Sequence, residues 1–420
     1  MTEQNYRLPR PHLPTRAEVE EYENVMERYP RAPMRKPLWT PGFTAGVAII
    51  IAGFVLVMIR LIFGLGAVTN LSDGYPWGLW ITFDVVIGIA LASGGYTTAA
   101  LVYVFNQGQF SPLIRPAITT ALLGYAMAAF GVFVDVGRWW QLYNPILPDN
   151  WNGGSALFEV SICVMAYLTI LLIEYLPTLT DRWIQDGKGG LARFSMKIRP
   201  WLDKVMIVFI LAGIVVSTLH QSSLGATMLI APHRLHELWF TPWLPAFFLF
   251  SSVAVGWHVV IVESVLSAKT FGREPEMPLL AGLARRSILF LGFYVTMKFF
   301  DLVFYDKFHL LFESWYGALW FGEILVVGMI PALLLSVPWI RRNPRYLMWT
   351  SWLVIAGLIF NRANVFMLAY SPPNGWSYFP TIWEFLISAM MVAVIVVGYK
   401  LFANYFPVLD RQEPAANAKS

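Results

Sequence analysis

The chain has 420 residues, of which 57% are hydrophobic and 13% charged. A soluble domain carries about 25% charged residues, so this composition excludes an ordinary soluble enzyme and defines an integral membrane protein. The net charge of +4 does not mark a nucleic-acid binder, because the basic residues lie in short connections between apolar runs.

Residues 1–42 form a polar arm of mixed charge, without the apolar core of a secretory signal. Within it, "TRAEVEEYENVMERY" places Thr15 and Glu18 at capping-box spacing, which suits a short charged helix. A membrane span requires about 20 mainly apolar residues. Ten such stretches follow, at 43–63, 77–105, 114–137, 155–176, 201–221, 243–267, 282–304, 314–337, 346–369 and 381–404. Pro and Gly clusters such as "PTLTDRWIQDGKGG", "FGREPEMP" and "SPPNGWSYFP" mark the joints. One cysteine, Cys163, sits inside an apolar run. A disulfide needs two thiols and an iron–sulfur cluster several, so the chain builds neither alone.

Lys and Arg set the expected orientation. They crowd into the arm, Arg115, the fourth connection (Arg182, Lys188, Arg193, Lys197, Arg199, Lys204), the sixth (Lys269, Arg273, Arg285, Arg286) and the eighth (Arg341, Arg342, Arg345). The C-terminal end adds Lys400, Arg411 and Lys419, whereas the opposite connections hold Arg138, Arg234 and Lys307. Both termini are therefore expected in the cytoplasm.

Ionisable residues inside a span are costly and are functional candidates by default. Asp84, Asp135, Glu159, His220, Lys298, Asp301, Glu323, Arg362, Glu384 and Arg60 all fall in the outer half of their spans; Glu174 and Glu263 lie near the cytoplasmic ends. Snorkelling residues would divide evenly between the two faces. One-sided clustering points instead to a polar cavity opening outward, with packing pairs such as Glu323 or Glu384 with Arg362 as the plainer alternative.

A weak repeat supports two parallel-related units. Spans two to five and six to nine run in the same order. Their second helices end in acids (Asp135, Asp301), their third carry an outer-half Glu (Glu159, Glu323), and their fourth place His220 and Arg362 high. The expected architecture is an all-α integral membrane protein. It comprises the arm (1–42), a first helix (43–63), a four-helix bundle (77–223), a second bundle (241–370), a last helix (380–405) and a cytoplasmic tail (406–420).

Histidine placement bears on haem. His220 lies near the outer end of its span, and His258 lies roughly 20 Å deeper at about 1.5 Å per residue. One iron cannot bridge that gap, methionine in a membrane core is mostly filler, and no haem is expected. There is no Walker or Rossmann motif and no metal-ligand cluster. A secondary transporter fits less well, since the charges avoid the midplane.

A quinone needs donors at two carbonyls, aromatic walls and a carboxylate or imidazole to deliver protons. His220 in "STLHQSSLGATM" suits that role, and "YPWGLW", "DVGRWWQLY" and "HRLHELWFTPW" supply rim aromatics. The plainer reading of those aromatics is the interfacial belt. The membrane region also resembles the NrfD/polysulfide reductase membrane-subunit family, in its ten-span hydrogenase-2-type branch. The resemblance rests on "RLIFGLGAVTNLSDGYPWGLWITFDVVIG", "YVFNQGQFSPLIRPA", "VDVGRWWQLY", "LFEVSICV", "HQSSLGATM", "WFGEILV" and "YFPTIWEFLIS", in order across residues 55–405. Only the N-terminal arm is longer than that branch suggests.

The resemblance implies a subunit of the bacterial inner membrane without permanent cofactors. It would take (mena)quinone as substrate and receive electrons from a periplasmic ferredoxin-like iron–sulfur subunit attached to a catalytic redox subunit. On that reading His220, Asp84, Asp135 and Glu159 carry the chemistry, and His220, Asp135 and Arg138 bind quinone. Asp84, Glu159, Asp301, Glu323, Arg362, Glu384, Glu174 and Glu263 form the candidate proton path. The alternatives are a proton- or ion-translocating subunit, or a passive anchor. In none of these is the chain catalytic alone.

Overall fold

The computed structural model describes residues 31–75, 77–187, 189–372 and 375–410. The arm before residue 31, with its Thr15–Glu18 spacing, and the tail from 411 lie outside the described residues. Among the described residues ten helices are long and apolar enough to span a bilayer: α1 (Pro41–Phe63), α2 (Trp80–Tyr103), α3 (Gly108–Asp135), α4 (Ala156–Asp186), α5 (Gly189–Ile230), α6 (Leu244–Phe271), α7 (Met277–Phe304), α8 (Trp315–Ser336), α9 (Pro344–Leu368) and α10 (Ile382–Tyr405). Among the described residues β-structure is limited to isolated bridges. The protein is a multi-pass, all-α membrane protein.

Local chemistry sets the helix ends. Thr40 caps α1 ahead of Pro41, where the missing N–H costs nothing. Ser155 caps α4 by accepting from the Phe158 amide, and Thr381 with Glu384 forms a reciprocal capping box on α10.

Two boundaries differ from expectation. The expected loop at 177–200 is mostly helix, with Pro177 inside α4 and Pro200 inside α5. The unbroken α-helical part of α5, Gly189–Ala226, has 38 residues, about 57 Å at about 1.5 Å each, and so overruns a hydrocarbon core of about 30 Å. Ion pairs support the overhang: Asp181 meets both Arg115 and Arg199, and Arg199 also meets Asp203. At its other end α5 runs beyond residue 221, so His220 lies within the helix and does not terminate it. The small polar residues after it bond to neighbouring helices instead of breaking their own.

Helix α2 is the hub. Its span is 83% buried, against 22% for α1, and it packs on α3 and α5 and also on α6 and α9. Helices α4 and α5 pair tightly, as do α6 and α7, while α1 lies on α10. The crossing of α2 with α6 is made by small residues. A Cβ on Gly256 would collide with Ser93 Oγ and lie 2.8 Å from the Gly94 nitrogen; one on Gly94 would lie 2.8 Å from the Gly256 oxygen. The close approach lets Ser93 donate to the Ser252 carbonyl at 2.7 Å. Small residues are what allow two membrane helices to come this near.

Three spans contain π-helical segments, at Trp80–Ile87, Ile324–Met329 and Asn364–Leu368. Each lies at a buried polar residue: Asp84, Glu323 and Asn364. Such widened turns concentrate at functional sites because they re-aim side chains.

Residues 31–40 are tied to the end of α10. The Met34 amide donates to Ala403 O at 3.0 Å, the Lys36 amide to Asn404 Oδ1 at 2.9 Å, and Arg31 pairs with Asp410 at 3.6 Å. Burial pushes the Asp410 carboxyl up from its ordinary 3.8 to about 6, against the pull of Arg31. Between those values the folded chain holds a proton that the unfolded chain has released. Stability from this group therefore falls as pH rises through the window. Asp410→Asn is expected to raise the melting temperature relative to the parent at about pH 8, with the gain gone by about pH 4; paired thermal scans check it. Gly256→Leu, which overpacks against backbone at the α2–α6 crossing, should cost at least about 1–3 kcal/mol and register as a lower melting temperature in detergent.

Candidate functional site

His220 on α5 is fully buried, and both its ring nitrogens are without a hydrogen-bond partner. Its ring lies 5.6 Å from that of Tyr125 on α3, which packs edge-on against Tyr167 of α4 at 4.5 Å. The residues around it on α5 bind three other helices. Ser217 Oγ lies 3.2 Å from the Tyr125 hydroxyl, Gln221 donates to the α2 carbonyl of Ile89 at 3.0 Å, and Ser223 donates to Glu159 Oε1 at 2.5 Å. Gln221 Oε1 is also unpartnered. Buried polar atoms are nearly always satisfied in native proteins, so an orphaned imidazole beside an orphaned amide oxygen marks a place for a ligand or water.

The other candidates of the first bundle are dispersed. Asp84 faces α10 and accepts from Ser388 Oγ at 2.6 Å. Asp135 closes α3, leaves Oδ1 unpartnered, and has Arg60 and Glu384 as its charged neighbours. Arg60, fully buried on α1, donates to the Val136 carbonyl at 2.5 Å. Arg138 is exposed on the connection beyond. Glu384 is bound into the fold: its carboxylate accepts from the Thr381 and Asn70 amides at 3.0 and 3.1 Å, and from the Tyr378 hydroxyl. Glu174 packs against Gly213, and Glu263 accepts from Thr120 at 2.7 Å.

A second buried polar set joins α7, α8 and α9. Glu323 pairs with Lys298 at 2.9 Å and accepts from Trp239, Tyr294, Asn361 and Asn364 at 2.7, 2.7, 2.8 and 3.0 Å. Five donors saturate it. Arg362 does not pair with Glu323 or Glu384, the packing partners the sequence suggested. Its guanidinium lies 3.5 Å from the centre of the Phe248 ring and donates to Phe248 O, Ser251 Oγ and Asn361 Oδ1. Asp301 is held by Thr241 and Lys307. His258 has both nitrogens engaged, by Ser351 and Ser287 at 2.9 Å each, as a packing histidine should.

Tyr125, Tyr167, Ser217 and Gln221 do not stand out in the sequence, where ionisable groups carry the signal. The available clue was a buried hydroxyl in mid-span, which needs a partner. Lys298 stood out as an embedded charge, but its pairing with Glu323 depends on how α7 faces α8.

These features define the class: a polytopic membrane protein with polar sites sealed inside helix bundles. Residues 67–374 match the family model "Polysulphide reductase, NrfD", and the chain belongs to that family. It is 35% identical over 365 residues to the "Probable Ni/Fe-hydrogenase 2 b-type cytochrome subunit" of Escherichia coli K12, covering 86% of this chain and 90% of that one. The "Menaquinone reductase, integral membrane subunit" of Nitratidesulfovibrio vulgaris is 29% identical over 384 residues, covering 85% and 88%. A selenate reductase subunit of Mesobacillus selenatarsenatis is 23% identical over 419 residues, covering 88% and 95%.

The first of these names corrects one expectation. A relative named a b-type cytochrome subunit points to haem, against the expectation that none is bound. Ligation by two histidines would cost His258 its bonds to Ser351 and Ser287, whereas a haem can be held by a single axial imidazole. His258 offers no free nitrogen and His220 offers two, so the ligand requirement is met by His220.

Removing Glu323 leaves Lys298 buried without its counter-charge and strips an acceptor from four further donors. Glu323→Leu should therefore cost about 3–5 kcal/mol. Lys298→Met, which leaves the other four donors in place, should cost clearly less. Detergent melting temperatures of the two variants give the order.

Proposed function

We propose that this chain is the quinone-interacting integral membrane subunit of a respiratory redox complex, passing electrons between an iron–sulfur partner and the (mena)quinone pool. The observation that carries the reading is His220, a buried imidazole with two free nitrogens among Tyr125, Tyr167, Ser217 and Gln221. A relative named as a menaquinone reductase membrane subunit supports the same chemistry.

Reducing a quinone takes two electrons and two protons. His220 donates to one carbonyl in its neutral form, and Glu159, tied to the same helix through Ser223, stands where a proton is needed. Asp84, which faces α10, belongs on this reading to the proton path feeding the second proton and does not touch the quinone, and Asp135 with Arg138 lines the mouth. Electrons come from outside the chain, since one cysteine cannot ligate an iron–sulfur cluster. Trp140, Tyr143, Ile146, Leu147 and Trp151 are exposed between α3 and α4, a surface suited to a periplasmic ferredoxin-like partner that bears the catalytic one. The bias of Lys and Arg supports cytoplasmic termini in a bacterial inner membrane. We read α2–α5 and α6–α9 as two parallel-related bundles. Coupling to proton movement falls to Glu174 and Glu263 toward the basic end. Asp301, Glu323, Arg362 and Glu384 hold bonded positions that suit fixed charges along such a path.

A second reading uses the same imidazole. Haem b, as the name of the Escherichia coli relative states, would take His220 as its axial ligand and supply single-electron transfer. The two readings separate in one variant, His220→Ala, with assembly checked by co-purification of the partner subunits. On the quinone reading the variant loses electron transfer to a soluble menaquinone analogue by about 10²-fold or more, while the visible spectrum is the same as the parent's. On the haem reading a Soret band present in the parent disappears with the side chain. Full turnover with an unchanged spectrum defeats both and leaves a translocator or an anchor.

A further inference from the structure

A cavity of about 400 Å³ lies between the two sets of helices, walled by α2, α3, α6, α9 and α10 and closed at one end by the start of α1. Its size falls within the range of about 300–1,000 Å³ typical of small-ligand sites. The walls are overwhelmingly apolar: Phe83, Ile87 and Leu91 on α2, Val259, Val262 and Leu266 on α6. From residue 259 to residue 271 on α6 it extends about 18 Å at about 1.5 Å per residue. That is roughly the depth of one leaflet of a core about 30 Å thick. Val396, 65% exposed, borders it, so the slot opens sideways to the surrounding lipid. Its far end reaches Asp84, and Glu263 lies on its wall; each carboxylate is bonded to a hydroxyl, of Ser388 and Thr120.

At the basic end of the slot stands Lys400. Its ammonium donates to the Leu38 carbonyl at 2.8 Å and to Thr40 Oγ1 at 3.0 Å, and lies 5.3 Å from the centre of the Phe43 ring. An ammonium has three N–H donors, so one is left over. Among the described residues no carboxylate lies within 4 Å of it. A cation without a counter-charge, at headgroup level, over a leaflet-deep apolar slot open to the bilayer, matches an anionic amphiphile end to end.

We infer that this slot binds an anionic phospholipid, with one acyl chain between the helix sets and its phosphate on Lys400. The site is separate from His220 and stands whether that imidazole meets a quinone or a haem. The ligand fills a seam that the protein's own side chains leave open, and it links α10 to α2 and α6.

Photolabelling tests this on the full chain with its co-purifying subunits, in phosphatidylcholine nanodiscs. The probe is a trace of phosphatidylglycerol carrying a diazirine at the end of one acyl chain. Adducts are expected on the slot-facing segments 83–92, 259–271 and 391–400, displaced by unlabelled phosphatidylglycerol. Lys400→Gln should lower them about fivefold, the effect of one lysine on an anionic headgroup. Labelling spread evenly over lipid-facing α1 with no enrichment in the slot overturns the site, and this readout uses the unaltered protein. Equal labelling by a phosphatidylcholine probe, unmoved by Lys400→Gln, overturns the headgroup assignment. Slot labelling by a diazirine menaquinone that phosphatidylglycerol cannot displace overturns the occupant.

Discussion

Gly94 and Gly256 let α2 and α6 approach until Ser93 reaches a carbonyl of the facing helix. Much else depends on that contact. In hydrocarbon no hydrophobic force gathers helices, so close packing and interhelical hydrogen bonds must do it. Helix α2 packs on α3 and α5 of one set and on α6 and α9 of the other, and the pairing of α5 with α6 joins the sets beside it. It carries Asp84 toward α10 and presents the Ile89 carbonyl to Gln221. A wider crossing would loosen the contact that sets Ser93 on the Ser252 carbonyl and with it one side of the frame around both regions.

Those two polar regions differ in how their central side chain is satisfied. Around Glu323 the carboxylate has a donor on every side and the embedded charges are held by rings, amides and carbonyls, with Arg362 Nε and Asn364 Oδ1 left open. Such a network stiffens a core and resists change, since losing one member exposes the desolvation cost of the rest. Around His220 the hydroxyls and amides satisfy one another but leave two imidazole nitrogens and the Gln221 oxygen open. Buried polar atoms without a partner are uncommon in folded proteins, and a ring with both nitrogens open is the strongest case among the described residues. That difference at the central side chain, more than the presence of charge, sets the His220 surroundings apart.

Much of this was legible in the sequence, and for physical reasons. Ten spans followed from length and hydropathy, because lipid demands an unbroken apolar helix. Helix ends near residues 177–200 were not legible: Pro177 and Pro200 read as breaks, yet ion pairs at Asp181 sustain the helices past them. The ionisable residues were visible as costs, but their partners were not. Glu323 meets Lys298, and Arg362 rests on Phe248, because of helix rotations that a linear pattern does not encode. The π-helical turns at Asp84, Glu323 and Asn364 leave no composition signal at all.

Depth along the membrane does not settle where a haem could be held. The gap between His220 and His258 read from the sequence shrinks once α5 runs on past His220 to set Gly225 against Leu244, so it does not by itself exclude a shared iron. What decides the matter locally is which nitrogens are spoken for. His258 is held on both sides by serine hydroxyls, so binding iron there would break two bonds inside the core. His220 would break none. The same reasoning favours His220 as the quinone donor, because a neutral imidazole with no internal partner gives its N–H to a carbonyl without losing a bond elsewhere. One open imidazole thus sits at the centre of either chemistry. Serine, glutamine and tyrosine around it bond to other helices, apart from the open Gln221 oxygen, and leave both imidazole nitrogens without a partner.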